Sequence, residues 1–185
     1  MKRPLLRVGL LLVVLASTWG GYYYSQHRLL PTDIPAGAVV AEAIPRLLAA
    51  PLQDLAGQNR TLAEWRGKIL VINLWATWCT PCKDEMPAFS RIHQQLSDNG
   101  VQFIGVALDS AEAVRAFSVQ YPVSYPLLLG ESELGALSTQ LGNRVQGLPF
   151  TLVLDRQGRA VASRLGRWPE EHLRKQLQSL LTTGK

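Results

Sequence analysis

Residues 69–76, Ile-Leu-Val-Ile-Asn-Leu-Trp-Ala, constrain the fold of this chain more than any other stretch. Apolar residues fill every position but Asn73, so the run predicts a strand covered on both faces, which requires helices on each side of a sheet. Directly after it comes Trp78-Cys79-Thr80-Pro81-Cys82, which contains the only 2 cysteines of the chain. Met86, Phe89, Ile92 and Leu96 then recur at helical spacing, so Cys79 opens a helix.

The remaining pattern completes an α/β domain with a mixed central sheet flanked by helices. Ahead of the central strand, residues 51–59 predict a short hairpin turning at Gly57, and residues 61–65 a helical turn. After the helix at 79–97, residues 101–108 predict a second parallel strand, 111–119 a helix, 126–129 a short strand-like insert and 133–141 another helix. Residues 151–154 and 160–165 predict an antiparallel hairpin, and 170–181 an amphipathic helix. The domain spans 51–185, enough for one hydrophobic core.

The placement of Cys79 is an electrostatic matter. Free N–H groups and the dipole at a helix N-terminus favour thiolate over thiol, and thiolate is the attacking species in disulfide exchange. Such sites lower a cysteine pKa from about 8.5 to ~3.5–7.5. Cys82 lies one turn along, within reach of a disulfide, so Cys79 is the expected nucleophile and Cys82 the resolving thiol. A static disulfide, a zinc site and a haem attachment site are the competing readings. Zinc needs about four ligands, and His27, His93 and His172 lack ligand spacing. Lys83 stands where haem attachment needs a histidine. No metal or other cofactor is expected.

The block from Asn73 to Pro87, which contains Trp78-Cys79-Thr80-Pro81-Cys82-Lys83-Asp84-Glu85-Met86, resembles the active-site signature of the TlpA/ResA-type thiol–disulfide oxidoreductases, a membrane-tethered branch of the thioredoxin superfamily. Val145-Gln146-Gly147-Leu148-Pro149-Phe150-Thr151, followed by a strand and the turn Asp155-Arg156-Gln157-Gly158, resembles the cis-proline loop of that family. The order of predicted elements matches the thioredoxin-like fold. The resemblance implies that Pro149 is cis and faces the cysteines, leaving the Leu148 backbone to pair with an extended substrate strand. It implies that Asn73 replaces the buried aspartate of thioredoxins proper. Glu85 matches the glutamate of this branch, where a partly buried carboxylate raises the pKa of Cys82 or relays its proton. A surface glutamate stabilising the first turn of a helix is the competing reading. Trp78 is expected to shield the disulfide and offer a flat contact to a protein substrate, whereas Trp75 reads as core. Thr80 and Pro81 lie between the thiols, where they influence the reduction potential, and the proline suits the first helical turn.

Lys2, Arg3 and Arg7 precede an apolar run that begins at Val8 and ends in Tyr22, Tyr23 and Tyr24. Residues 1–30 are expected to form an uncleaved signal anchor, with a cleaved signal peptide as the alternative. The positive-inside rule then sends the domain to the periplasmic face of the inner membrane. Residues 31–50, with Pro31, Pro35, Pro45 and several alanines, read as a linker with a short helix near 46–50. The formal net charge is +5. Residues 1–30 hold 4 basic and no acidic side chains, leaving 15 basic against 14 acidic, so the excess belongs to the anchor. Nothing suggests a nucleic-acid partner.

These expectations converge on a membrane-anchored periplasmic enzyme that reduces disulfides in protein substrates. The family resemblance implies recharging by a membrane thiol donor of the DsbD or CcdA kind. An oxidase or isomerase on the same fold, or a Cu(I)-binding metallochaperone, would use the same two thiols. A peroxidase would want a threonine three residues ahead of a lone peroxidatic cysteine.

Overall fold

A computed structural model describes residues 39–130 and 132–183, together with the backbone of Asp33–Ile34 and the single position Ser17. Apart from Ser17, the expected anchor segment lies outside the described residues, among which no helix is long and apolar enough to cross a membrane.

The elements in chain order are β1 (Asp33–Ile34), α1 (Ala43–Ala49), β2 (Leu52–Asp54), β3 (Asn59–Arg60), a 3-10 turn at Leu62–Trp65, β4 (Ile69–Trp75), α2 (Thr80–Leu96), β5 (Val101–Ala107), α3 (Ala111–Gln120), β6 (Leu127–Leu129), α4 (Ser132–Ser138), β7 (Phe150–Leu154), β8 (Ala160–Leu165) and α5 (Glu170–Thr183). One sheet runs in the order β1-β8-β7-β4-β5-β6-β2-β3. β4 is parallel to β5 and antiparallel to β7, which makes the sheet mixed. This is the thioredoxin-like arrangement.

Alternation along β4 divides the core. Ile69, Val71 and Trp75 pack with Met86, Phe89 and Ile92 of α2, with Phe103 and with Leu173 and Leu177 of α5. Leu70, Ile72 and Leu74 face the other way, onto Ile104 and Val106 of β5 and Leu134 and Leu137 of α4. Asn73 shares the parity of Val71 and Trp75, so its amide points to the α2 side, a polar group in an apolar layer.

Three expectations are corrected. Residues 31–50 are not all linker: β1 adds to β8 through Asp33↔Arg164 and Ile34↔Ser163, and α1 buries Ala43, Ile44, Leu47 and Leu48 in the second core. Their i, i+1, i+4, i+5 spacing is one helical face, hidden by attention to the prolines. The stretch at 126–129 is a member of the main sheet, with β6 parallel to β5 and antiparallel to β2. The helix read at 133–141 divides into α4 and a 3-10 turn at Thr139–Leu141 that stops at Gly142, whose φ is 105°.

Candidate active site

The register of β4 and β7 brings the two sequence motifs together. Leu74 pairs with Phe150, so the residues that follow β4 and those that precede β7 emerge at the same end of the sheet. The first segment leads to Cys79 and the second comes from Pro149. The Leu148–Pro149 peptide is cis.

Cys79 is the N-cap of α2, with Pro81 in the first turn, where a missing N–H costs nothing. Its backbone N–H donates to Ala76 O at 3.1 Å, and its carbonyl accepts from Lys83 N. Upstream, Asp109 fastens the approach by accepting from both the backbone and the hydroxyl of Thr77, the former at 3.0 Å. Burial pulls the Asp109 carboxyl upward, but the hydrogen bonds from Thr77 and Ser110 outweigh it and leave the group below its ordinary value. Cys79 and Cys82 are joined in a disulfide with Cα atoms 5.3 Å apart. Cys82 is fully buried and Cys79 4% exposed, with Thr80 and Pro81 on the surface between them. Beside them Trp78 is 69% exposed, whereas Trp75 is buried in the core. Leu148 is half-buried against the same apolar cluster as the cysteines.

Glu85 is 1% exposed, which removes the surface reading of this residue. It follows Cys82 by three positions and so lies on the same face of α2. Its Oε1 accepts from Asn73 Nδ2 at 2.9 Å and its Oε2 from the Trp168 backbone N–H at 3.0 Å. Asn73 Nδ2 also donates to Thr151 Oγ1 at 3.0 Å. Burial pushes the carboxyl up to about 7; the bonds from Trp168 and Asn73 and the charges of Arg167 and Arg164 oppose that rise. Burial, and then the Glu85 charge, also raise the pKa of Tyr125.

Gly105, the register partner of Asn73, keeps this polar strip open. A Cβ there would stand 2.8 Å from Leu127 Cδ2, 3.1 Å from Trp75 Nε1 and 3.3 Å from Tyr125 Cε2. The segment after β8 closes the site from the other side. Gly166 N donates to Pro149 O at 2.8 Å, two residues before Trp168 reaches Glu85. The cysteines, Glu85 and Pro149 that the sequence singles out lie at this end of the sheet, together with Thr151, Tyr125, Asp109 and Trp168, which it does not single out. Of these, Thr151 and Asp109 stand within the second motif or immediately after a strand-forming run, a signal that was available.

The AhpC/TSA family model matches residues 40–181, which include every strand from β2 to β8. A curated relative, the thiol-disulfide oxidoreductase ResA of a Bacillus cereus strain, is 32% identical over 130 residues, 69% of this chain and 72% of that protein. The chain is a thiol–disulfide oxidoreductase of the AhpC/TSA family. Thioredoxin-like protein YneN of Bacillus subtilis is 29% identical over 154 residues, 81% of this chain and 83% of that protein. Among solved structures, dsbF of MTB in its mixed oxidized and reduced forms superposes with a TM-score of 0.62 at 26% identity, covering 77% of this chain and 98% of that one. The enzyme therefore pairs a thioredoxin-like fold with the Cys79–Cys82 couple.

Proposed function

We propose that this oxidoreductase works as a reductase of protein disulfides, tethered by residues 1–30 to the inner membrane and facing the periplasm. The observation that carries the thiol chemistry is the buried Glu85 carboxyl, one turn beyond Cys82 and raised to about 7; it serves exchange in either direction, and the reductive one is taken from the resemblance to the TlpA/ResA branch. In the reduced enzyme the Cys79 thiolate attacks a substrate disulfide, forming a mixed disulfide and expelling one substrate thiolate, which takes up a proton. Cys82 then gives its proton to Glu85 and attacks Cys79 Sγ. The Cys79–Cys82 disulfide forms, the second substrate thiolate leaves, and Glu85 passes on the proton. Two electrons move from enzyme to substrate, and no bound cofactor takes part.

Leu148 and Pro149 form the groove for an extended client strand, with the Leu148 backbone supplying hydrogen bonds, and Trp78 offers an apolar face beside it. The exposure of Trp78 and of Val145, 69% and 73%, suits a protein surface as the partner. The basic residues Lys2, Arg3 and Arg7 ahead of the apolar run support the tether and its orientation. An oxidising compartment requires that the couple be recharged, for which a membrane thiol donor of the DsbD or CcdA kind is suited.

The test is the equilibrium reduction potential of Cys79–Cys82, read by thiol trapping across a dithiothreitol series. A value near or below about −270 mV supports a reductase, whereas one near about −120 mV makes the same couple a disulfide donor.

A further inference from the structure

The loop that carries Pro149 is held by a side chain for which the chemistry above has no use. Asn143 is 1% exposed, and its carboxamide closes on Gly147, four residues later. Oδ1 accepts from Gly147 N at 2.9 Å, and Nδ2 donates to Gly147 O at 3.0 Å. Both polar groups of Gly147 are thus satisfied by one side-chain amide, in the way a neighbouring strand would satisfy them. The base of the loop is fastened as well. Asn143 Nδ2 donates to Ser138 Oγ at 3.1 Å, and Asn143 N donates to Ser138 O at 2.9 Å. Ser138, fully buried at the end of α4, anchors its own hydroxyl on Gly135 O.

Between these fixed points the chain is forced into an unusual shape. Gln146 donates its N–H to Asn143 O at 3.0 Å and takes φ 52°, the left-handed region that a residue with a side chain enters only when its surroundings impose it. A Cβ at Gly147 would lie 2.9 Å from Leu165 Cδ1, so a side chain there would have to displace that of Leu165. The result is a tight turn that projects Val145 into solvent and delivers the backbone to Leu148 in one conformation.

We propose that Asn143 is a positioning residue of the client groove, pinning Gly147 so that the Leu148 backbone is ordered before a client strand arrives. The proposal rests on the reading that clients pair with Leu148 beside Pro149. Its hydrogen bonds go to Gly147 and Ser138 and to neither cysteine, so it acts on docking and not on the couple. Without the carboxamide, the turn samples several conformations, and the cost of ordering it falls on client binding.

The experiment compares Asn143→Ala, Asn143→Asp and Pro149→Ala in the full chain, with insulin disulfides as the probe. Asn143→Ala is expected to raise KM about tenfold, the scale of one buried hydrogen bond lost, with kcat within about twofold. Amide exchange at Gly147 should accelerate, while the Cys79–Cys82 reduction potential stays where it is. Asn143→Asp keeps the Oδ1 acceptor but turns a carboxylate oxygen toward Gly147 O, so its KM should rise at least as far as that of the alanine variant; it supplies the same readings should the alanine variant fail to fold. A raised KM in Pro149→Ala with an unchanged KM in the Asn143 variants overturns the positioning role alone. An unchanged KM in all three overturns it by removing the groove reading beneath it. A shifted potential in the Asn143 variants also overturns it, because the residue would then act on the sulfurs.

Discussion

Asn73 and Glu85 meet across the space between the central strand and the active-site helix, with Asn73 Nδ2 2.9 Å from Glu85 Oε1. The strand position that carries an acid in thioredoxins proper here carries an amide, and the acid comes from the helix instead. The amide donates to the acid, so the exchange of residue types leaves the carboxylate both buried and partnered. The buried carboxyl thus belongs to the helix that begins at the cysteines and not to the strand.

Because the folded protein raises Glu85 from 4.5 to about 7, it binds that proton more tightly than the unfolded chain does. The stability linked to this group is therefore full below about pH 4.5 and falls as pH rises to 7, by about 3 kcal/mol in all. Urea unfolding of the oxidised protein at pH 5 and pH 8 should show wild type losing roughly 2 kcal/mol more than Glu85→Gln. Equal losses in the two proteins would falsify the raised pKa. The carboxylates of Asp54, Glu64 and Glu170 are held low by their hydrogen-bond partners and act in the opposite direction, in the acid range.

Cys82→Ser removes the resolving thiol and leaves Cys79 able to attack. Mixed disulfides between Cys79 and client proteins should accumulate and be visible by mass spectrometry under non-reducing conditions. If no adduct forms, Cys82 does not resolve.

Trp78→Ala should separate function from folding. With the residue 69% exposed, stability should change by no more than about 0.5 kcal/mol, while KM for a protein disulfide rises. A loss of stability above that level with an unchanged KM would make Trp78 structural.

Gly105→Ala tests the packing beside the buried acid. The added methyl meets Leu127, Trp75 and Tyr125 at once, and overpacking of that kind costs about 1–3 kcal/mol. Thermal or urea unfolding reads the loss directly, and a neutral outcome would mean that the strip yields easily.

Much of this was legible in the sequence because the signals were periodic. The apolar run at 69–76 and the 3-and-4 spacing from Cys82 to Leu96 each follow a single backbone geometry, and their boundaries in β4 and α2 differ by a residue or two from expectation. Helix α1 was less visible because Pro45 sits in its first turn, where proline is tolerated but reads as a breaker. Glu85 could be placed on the thiol side of its helix, but not in depth. Its burial depends on Asn73, Thr151 and Trp168, which come from three separate parts of the chain, the last of them 83 residues away. Asn143 gave no signal at all, since a lone asparagine in a turn is ordinary until its partners are known.

The short stretch from Gly166 to Trp168 touches both halves of the site, one N–H on the Pro149 carbonyl and another on the Glu85 carboxylate. Under the proposed function, the place where a client docks and the acid that takes up the Cys82 proton are fastened by one three-residue segment, so a substitution there is expected to disturb both at once.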